Sequence, residues 1–265
     1  MNHLDTAQSL TANRQPIPIL TYHQIATAPP KGFAFRSLYV SPQAFKRQMW
    51  MLKLLGYQGL AMRDLMPYLR GEKTGKVVGI TLDDGYVNNL TEALPVLLEY
   101  GFTATCYVVS QLLGKSNVWD HAIGIQPAPL MDAHELRIWR DAGMEIGAHT
   151  RNHVDLSRGS AEINQHEILG SRMDLEDISG QAVDQFCYPF GIYNLEHIPL
   201  VQAAGFVAAT TTNRGQIHSA SDLFQLRRIP IVKSTYWPQF LLKILTGYEH
   251  KYLKITTHGS NSPET

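Results

Sequence analysis

Short apolar runs alternate with amphipathic segments along most of the chain, and this alternation predicts the elements. Continuous apolar runs of this length are typical of strands that are buried on both faces. They predict strands over residues 17–23, 77–82, 104–109, 145–148, 184–188, 207–211 and 226–232. Apolar residues at helical spacing, with polar caps and following glycines, predict helices over 41–56, 90–100, 132–142, 160–178, 195–204 and 237–246.

The order of these elements predicts an α/β fold. Strands that alternate with capped helices form parallel β/α units. Six or seven such units, in a chain whose composition does not change along its length, favour a closed barrel over an open sheet. We therefore predict a (β/α) barrel of about seven units, in a single domain over residues 17–265, preceded by a flexible arm at residues 1–16.

Composition narrows the classes of function. The chain has 265 residues, of which 44% are hydrophobic, so a sizeable core is expected. It carries 23 basic and 23 acidic residues, and this balance does not indicate a nucleic-acid partner. No apolar run is long enough to predict a transmembrane helix, and the polar N-terminus lacks a secretory signal, so we expect a cytoplasmic protein. Cys106 and Cys187 lie in apolar runs, where buried, unpaired thiols are expected.

Polar residues with catalytic chemistry lie where predicted strands end. They are His23, the pair Asp83 and Asp84, His149, and the segment 188–190. In a (β/α) barrel the carboxyl ends of the strands share one face, and the active site lies there. The sequence therefore predicts that these residues meet in one site.

Two imidazoles and a carboxylate are ligands typical of Zn²⁺ and similar ions, and a catalytic ion keeps one position open for water. His149 and His153 share a face if their segment is helical. Two like charges at a strand end are unfavourable without a bound cation. Adjacent side chains on an extended segment point in opposite directions, so one aspartate is expected to bind the metal and the other to accept a proton from water.

Three motifs in order, TLDDG at 81–85, HTRNH at 149–153 and YPFGIYN at 188–194, resemble those of the polysaccharide deacetylases. These are the NodB-homology domains of carbohydrate esterase family four. The segment PILTYH at 18–23 resembles the first strand of the branch that contains poly-N-acetylglucosamine deacetylases. The resemblance covers about residues 17–232. It implies a distorted (β/α) barrel that removes N- or O-acetyl groups from an N-acetylated sugar or polysaccharide by metal-dependent hydrolysis.

The resemblance also implies roles for individual residues. Asp83 corresponds to the general base, and His23 replaces the general-acid histidine that many members carry in a late motif. The backbone N–H of Phe190 would polarise the oxyanion. The implied ligands of a divalent metal, most simply zinc with cobalt, nickel or manganese as alternatives, are Asp84, His149 and His153. The implied substrate-binding residues are Tyr188, Pro189, Tyr193 and Arg228.

The chain departs from the family pattern at one position. Where many members have an arginine that orients the base, two residues before the proline of the third motif, this chain has Cys187. Arg227 and Arg228 are candidates to replace that arginine. The aromatic segment 236–242 either lines a cleft for a sugar or lipid-linked substrate or forms a helix that closes the barrel. The other histidines are interpreted as structural or surface residues: His121, His134, His166, His197, His218, His250 and His258.

Three other functions remain open at this point. The same scaffold can host hydrolysis of a non-sugar amide, and a relative without turnover could act as a carbohydrate-binding module. Metal storage is the third, but it leaves the spare carboxylate without a use. The full set of two aspartates and two histidines favours the deacetylase.

Overall fold

The computed structural model describes residues 16–123, 125, 127–217 and 221–252. The predicted arm, apart from Pro16, lies outside the described residues, as do His218, His258 and the side chain of His121. The strands are β1 Ile19–Tyr22, β2 Gln24–Ile25, β3 Tyr39–Val40, β4 Gln58–Leu60, β5 Val77–Leu82, β6 Thr105–Val108, β7 Glu145–Ala148, β8 Gln185–Cys187, β9 Ala208–Arg214 and β10 Leu226–Pro230. The α-helices are α1 Pro42–Leu54, α2 Met62–Leu69, α3 Leu94–Tyr100, α4 Ala133–Asp141, α5 Ala161–Ser179, α6 His197–Ala203 and α7 Trp237–Leu245.

Seven parallel strands close into a barrel in the order β1, β10, β9, β8, β7, β6 and β5, and β5 pairs again with β1. The eighth strand of the sheet, β4, inserts beside β5 at its N-terminal end. There Leu60 pairs with Gly79, and the Thr103 N–H donates to the Gly59 carbonyl at 3.1 Å. The predicted (β/α) barrel of about seven units is therefore confirmed.

Local sequence signals account for most helix ends. Ser41 caps α1 by accepting the Ala44 N–H at 3.2 Å, with Pro42 at the first helical position. Asp132 and Glu135 form a capping box at the start of α4, with bonds of 2.8 and 2.9 Å. Both predicted helix starts are thus confirmed.

Other elements differ from the prediction. The helix predicted over 90–100 begins as a π-helical turn, Asn89–Ala93, and becomes α-helical only at Leu94–Tyr100. Pro95 lacks an N–H and cannot complete the regular hydrogen-bond ladder there. The short strand β4 and the helix α2 were not predicted. β4 has three residues, including Gly59, and α2 contains Pro67, so neither gives a clear pattern.

The apolar core has two main parts. One lies between the barrel and its helices, and it includes Cys106 together with Phe240 and Ile244 of α7. The other fills the barrel with strand residues such as Tyr107 and Cys187, and α2 contributes Met62, Leu65 and Met66 to it. Both cysteines are buried with free thiols, as predicted.

Helix α7 packs on the barrel, as one of the two interpretations of segment 236–242 requires. Its inward residues Phe240 and Ile244 are buried, whereas Tyr236 and Trp237 at its start are exposed. Within the described ranges, no helix combines the length and the apolar character that crossing a bilayer requires.

Candidate active site

The predicted site residues meet at the C-terminal end of the barrel. Asp83 and Asp84 directly follow β5, His149 follows β7, and His23 follows β1. Because parallel strands end on the same face, the chain brings these side chains into one pocket although they are distant in sequence.

Asp84, His149 and His153 form a group that could hold a metal ion. Asp84 Oδ1 lies 3.6 Å from His149 Nε2 and 3.4 Å from His153 Nε2. These separations exceed those of good N–H···O hydrogen bonds. A tetrahedral ion with ligand bonds of about 2.1 Å would separate its ligand atoms by about 3.4 Å. All three side chains are almost fully buried, so the donor set fits a divalent cation.

The two histidines converge by a route that the sequence did not predict. Residues 149–153 form a loop and not a helical turn. Thr150 and His153 adopt left-handed backbone angles, with φ of 61° and 57°. Asp84, with φ 77°, is likewise not extended. The prediction of a shared helical face was therefore wrong, because backbone turns at non-glycine residues bring the imidazoles together.

Strained backbone is concentrated at this pocket. Of the five described non-glycine residues with positive φ, four lie here: Asp84, Thr150, His153 and Phe190. A left-handed conformation costs such a residue about 1–2 kcal/mol. Strain of this kind persists where the surroundings impose it, and it clusters at functional sites.

Neighbouring groups fix the orientation of both imidazoles. The His149 Nδ1–H donates to the Cys187 carbonyl at 2.8 Å, which leaves the Nε2 lone pair facing the pocket. The His153 ring stacks on Trp119 with centroids 4.3 Å apart. The Phe190 ring lies nearly perpendicular to the same imidazole, with centroids 4.4 Å apart. Both rings are thereby held with Nε2 towards Asp84.

Side chains of helix α5 hold the loop that carries the two histidines through hydrogen bonds. The backbone N–H groups of Arg151 and Asn152 both donate to Glu167 Oε2 at 2.9 Å. The Asn152 side chain donates to Glu167 Oε1 at 2.7 Å. Asp174, one heptad further along, pairs with the Arg151 guanidinium at 2.7 Å. These contacts hold residues 151 and 152 between the two imidazoles.

Asp83 has a different environment, because a buried arginine holds it. Arg228 Nη1 donates to Asp83 Oδ1 at 2.7 Å, and Nη2 donates to Oδ2 at 2.8 Å. Burial raises the pKa of the Asp83 carboxyl, but the Arg228 guanidinium, together with His23 and His149, lowers it and leaves this pKa below its usual range. The carboxylate is therefore kept ionised beside the cation pocket.

The pair of Asp83 and Arg228 accounts for the cysteine at position 187, where many family members have an arginine. Arg228 reaches Asp83 from β10 across the barrel, and its Nη2 lies 3.2 Å from Cys187 Sγ. The small thiol therefore packs directly against the guanidinium of Arg228. Arg228, of the two candidates, replaces the missing arginine. Its side chain is only 1% exposed, which does not favour direct contact with a substrate, and its assignment as a substrate-binding residue stays a prediction.

His23 is the more accessible titratable group of the pocket. Its Nε2 lies 3.9 Å from Asp83 Oδ2, and a quarter of its side chain is exposed. This separation is too long for a hydrogen bond. A group in this position can exchange a proton with a bound molecule.

Two of the residues expected to bind substrate are buried. Tyr188 has no exposed surface, its hydroxyl donates to the Phe224 carbonyl at 3.2 Å, and Pro189 is also buried. The burial of both side chains does not favour direct contact with a ligand, and their assignment as substrate-binding residues stays a prediction. Tyr188 instead stacks under Tyr193, which is partly exposed, with centroids 4.5 Å apart. Phe190 remains half-exposed at the pocket.

Sequence reasoning missed several residues that line or support the site. Trp119 and Asp120 lie in a short 3-10 helix, Val118–Ile123, between β6 and α4 and belong to no motif, and Glu167 lies within the long helix α5. The spacing of Glu167 and Asp174 by seven residues places them on one face of α5, and this was the only signal for them.

Comparison with known proteins places the chain in a family. The family model described as polysaccharide deacetylase matches residues 70–209, just over half of the chain. The chain therefore belongs to the polysaccharide deacetylase family, and the predicted resemblance is confirmed.

Individual relatives agree with this assignment. The structure of the Streptococcus pyogenes deacetylase PplD in complex with acetate has a TM-score of 0.76 and 28% identity, covering 87% of this chain and 99% of that chain. YxkH of Bacillus subtilis, whose name places it provisionally in the same family, is 28% identical over 217 residues, 81% of this chain and 71% of YxkH. The poly-beta-1,6-N-acetyl-D-glucosamine N-deacetylase of Staphylococcus epidermidis is 22% identical over 222 residues, 80% of this chain and 74% of that protein.

Proposed function

We propose that this protein is a metal-dependent hydrolase that removes N-acetyl groups from a carbohydrate. The observation that carries the proposal is that two adjacent carboxylates have different environments. Asp84 faces two imidazoles, whereas Arg228 engages both oxygens of Asp83. Family membership, the activity named for the Staphylococcus epidermidis relative and the acetate bound to PplD support the same chemistry.

Asp84, His149 and His153 would hold the metal, with Zn²⁺ as the first candidate and Co²⁺, Ni²⁺ or Mn²⁺ as alternatives. A divalent cation bound there polarises the acetyl carbonyl and lowers the pKa of the attacking water. A second group of donors, Asp83, His149 and Cys187, also lies close together. It is the weaker candidate because Arg228 already engages both oxygens of Asp83.

The remaining steps belong to the chain's own residues. Asp83, kept ionised by Arg228, accepts the proton of the water whose oxygen attacks the acetyl carbon. The Phe190 N–H donates to the oxygen that becomes negative. His23 gives a proton to the nitrogen as the C–N bond breaks. The products are acetate and a free amine on the sugar.

Two substitutions separate the roles of base and ligand. Asp83→Asn is expected to retain the metal and to lose turnover by about 10²–10⁴-fold, because the proton acceptor is removed. His149→Ala is expected to lose both metal and turnover, since a ligand is removed. Metal content is measured by elemental analysis, and acetate release is measured on oligomers of N-acetylglucosamine.

Exposed residues of the same types serve as matched controls. Asp177→Asn and His134→Ala, on α5 and α4, are expected to behave like the wild type. Normal turnover in Asp83→Asn would remove Asp83 from the base role. A wild-type protein that binds metal but releases no acetate from any acetylated sugar would overturn the proposed function.

A further inference from the structure

One turn beside the pocket has no role in the mechanism above. We call residues 116–120 the Trp119 turn. An antiparallel bridge joins Ser116 to Pro129, and Asn117 Oδ1 accepts the Ala128 N–H at 2.7 Å. Through the adjoining bridge between Tyr86 and Leu130, the turn is tied to the residues that follow Asp84. Its side chains therefore have defined positions relative to the cation pocket.

Trp119 forms a wall of the pocket. Its indole ring stacks on the imidazole of His153, with ring planes 23° apart. The side chain is only partly buried, so part of the indole remains available to a bound molecule. Aromatic surfaces of this kind bind the apolar faces of sugar rings while contributing large contact area at small entropic cost.

Asp120 is a buried carboxylate with unused acceptor capacity. Its residue exposure is 7%, and Asn117 Nδ2 donates to its Oδ2 at 3.1 Å. Among the described residues, none donates a hydrogen bond to its Oδ1. An ionised carboxylate can accept about four hydrogen bonds, and a desolvated one that accepts few is costly. Asp120 Oδ1 is not one of the described buried oxygens that are cut off from every hydrogen-bond partner, and the carboxylate has capacity left to accept a hydrogen bond from a bound molecule.

The charge of Asp120 acts inside the catalytic pocket. Burial raises the pKa of Asp120, the carboxylate of Asp84 raises this pKa further, and His153 and His23 lower it. Asp120 directly follows Trp119, whose indole stacks on His153, and this places it beside the cation ligands. It belongs to neither group of described residues that could hold a metal ion.

We propose that Trp119 and Asp120 form a subsite for the sugar that carries the acetyl group. Asp120 Oδ1 accepts a hydrogen bond from a hydroxyl of that sugar, and the Trp119 indole packs against its ring carbons. This inference rests on the proposed function. It adds that the site discriminates hydroxylated sugars from small acetyl compounds without hydroxyls, because a buried acceptor left unpaired weakens binding of the latter.

The test compares a sugar with an ester that lacks hydroxyls. Asp120→Ala and Asp120→Asn are assayed with metal-loaded protein on penta-N-acetylchitopentaose and on 4-nitrophenyl acetate. We expect Asp120→Ala to raise KM for the oligomer at least about 10-fold, and to change kcat/KM for the ester less than about 2-fold. Asp120→Asn keeps an oxygen acceptor and is expected to fall between Asp120→Ala and the wild type. Asp177→Ala, an exposed residue of α5, is the control.

Trp119 is tested in the same way. Trp119→Phe retains an aromatic wall and is expected to keep most of the affinity for the oligomer, whereas Trp119→Ala is expected to raise KM severalfold. Trp50→Ala, at an exposed tryptophan of α1, is the matched control and should leave KM unchanged.

A binding measurement separates this inference from the proposed function. Calorimetric titration of the oligomer into metal-loaded Asp83→Asn protein needs no turnover. An affinity at least about 10-fold weaker in the Asp83→Asn, Asp120→Ala double variant supports the subsite. Equal affinities in the two proteins overturn the subsite. It is also overturned if Asp120→Ala loses as much activity on the ester as on the oligomer, a result that would assign Asp120 to the metal ligands instead.

Discussion

At the scale of single residues, the reactivity of Asp83 depends on Arg228. The guanidinium makes two parallel hydrogen bonds to the carboxylate, and its Nε donates to the Thr211 carbonyl at 2.9 Å. Its planar group also lies over the ring of Tyr107, 5.8 Å from the centroid. Taking both charges out of water is costly, and only this complete pairing offsets the cost. The pair fixes the direction of the carboxylate as well as its charge.

Replacing Arg228 is therefore expected to damage both stability and turnover. Arg228→Met leaves a buried carboxylate unpaired and should reduce the free energy of unfolding by about 3–5 kcal/mol. Arg228→Lys keeps the charge but cannot bind both oxygens, so it should lose less stability and still lose turnover. Urea unfolding and acetate release measure the two effects. Arg227→Met and Arg227→Lys, at the half-buried neighbour, are controls, and equal effects at both positions would contradict the assigned role.

Residue identity could be predicted from the sequence better than residue direction. The motifs predicted Asp83, Asp84, His149, His153 and His23, and the structure brings all of them to one pocket. The choice between the two arginines of β10 could not be made. The pairing of β10 with β9 shifts register between Leu226 and Arg228, and such an irregularity changes which side chains face the barrel interior.

At the scale of elements, α5 acts as a scaffold for the loop 149–153. The left-handed residues Thr150 and His153 give little sequence signal, because neither is a glycine and a threonine rarely adopts positive φ. The conformation of this loop is set by its contacts with Glu167 and Asp174 on the helix. The geometry of this loop thus depends on contacts with a segment that is distant in sequence. The spacing of His149 and His153 alone could not indicate it and suggested a helical face instead.

Glu167 is expected to control metal affinity without binding the metal. In Glu167→Gln the side-chain NH₂ opposes the Asn152 NH₂, so one hydrogen bond to the loop is lost. Groups that orient ligands typically change metal affinity by about 10–100-fold when they are altered. Competition for Zn²⁺ with a chromophoric chelator measures this change. Glu162→Gln, at an exposed position of the same helix, should bind like the wild type. Unchanged affinity in Glu167→Gln would show that the loop holds its shape without the helix.

At the scale of the whole molecule, the two ends of the barrel carry different kinds of buried polar residues. The barrel strands could be predicted because each of them has a clear apolar run. The insertion of β4 and the packing of α2 into the lower core could not, since both depend on contacts between segments with weak patterns. The C-terminal end carries the catalytic pocket. The N-terminal end, where β7 starts, carries a buried carboxylate, Glu145.

The protonation of Glu145 makes stability depend on pH. Burial raises the pKa of Glu145 to about 7. Two hydrogen bonds to the carboxylate oppose this shift: Thr105 Oγ1 donates at 2.5 Å and the Arg63 N–H donates at 2.9 Å. The charge of Arg63 also lowers this pKa, and that of Asp64 raises it. Between the unfolded pKa, near 4.5, and the folded one, the native state binds more protons than the unfolded state. Stability is therefore fully present below the unfolded pKa and is lost as the pH rises through 7.

Glu145→Gln removes this titration. The free energy of unfolding of the variant relative to the wild type should increase by about 3 kcal/mol between pH 4.5 and pH 8, because each unit of pKa shift corresponds to about 1.4 kcal/mol. Urea unfolding across this range measures the difference, and any constant effect of the new amide cancels in the slope. Because Glu145 lies at the end opposite the pocket, acetate release at pH 8 should match the wild type. Parallel stability curves for the two proteins would mean that Glu145 is ionised in the folded barrel at pH 5.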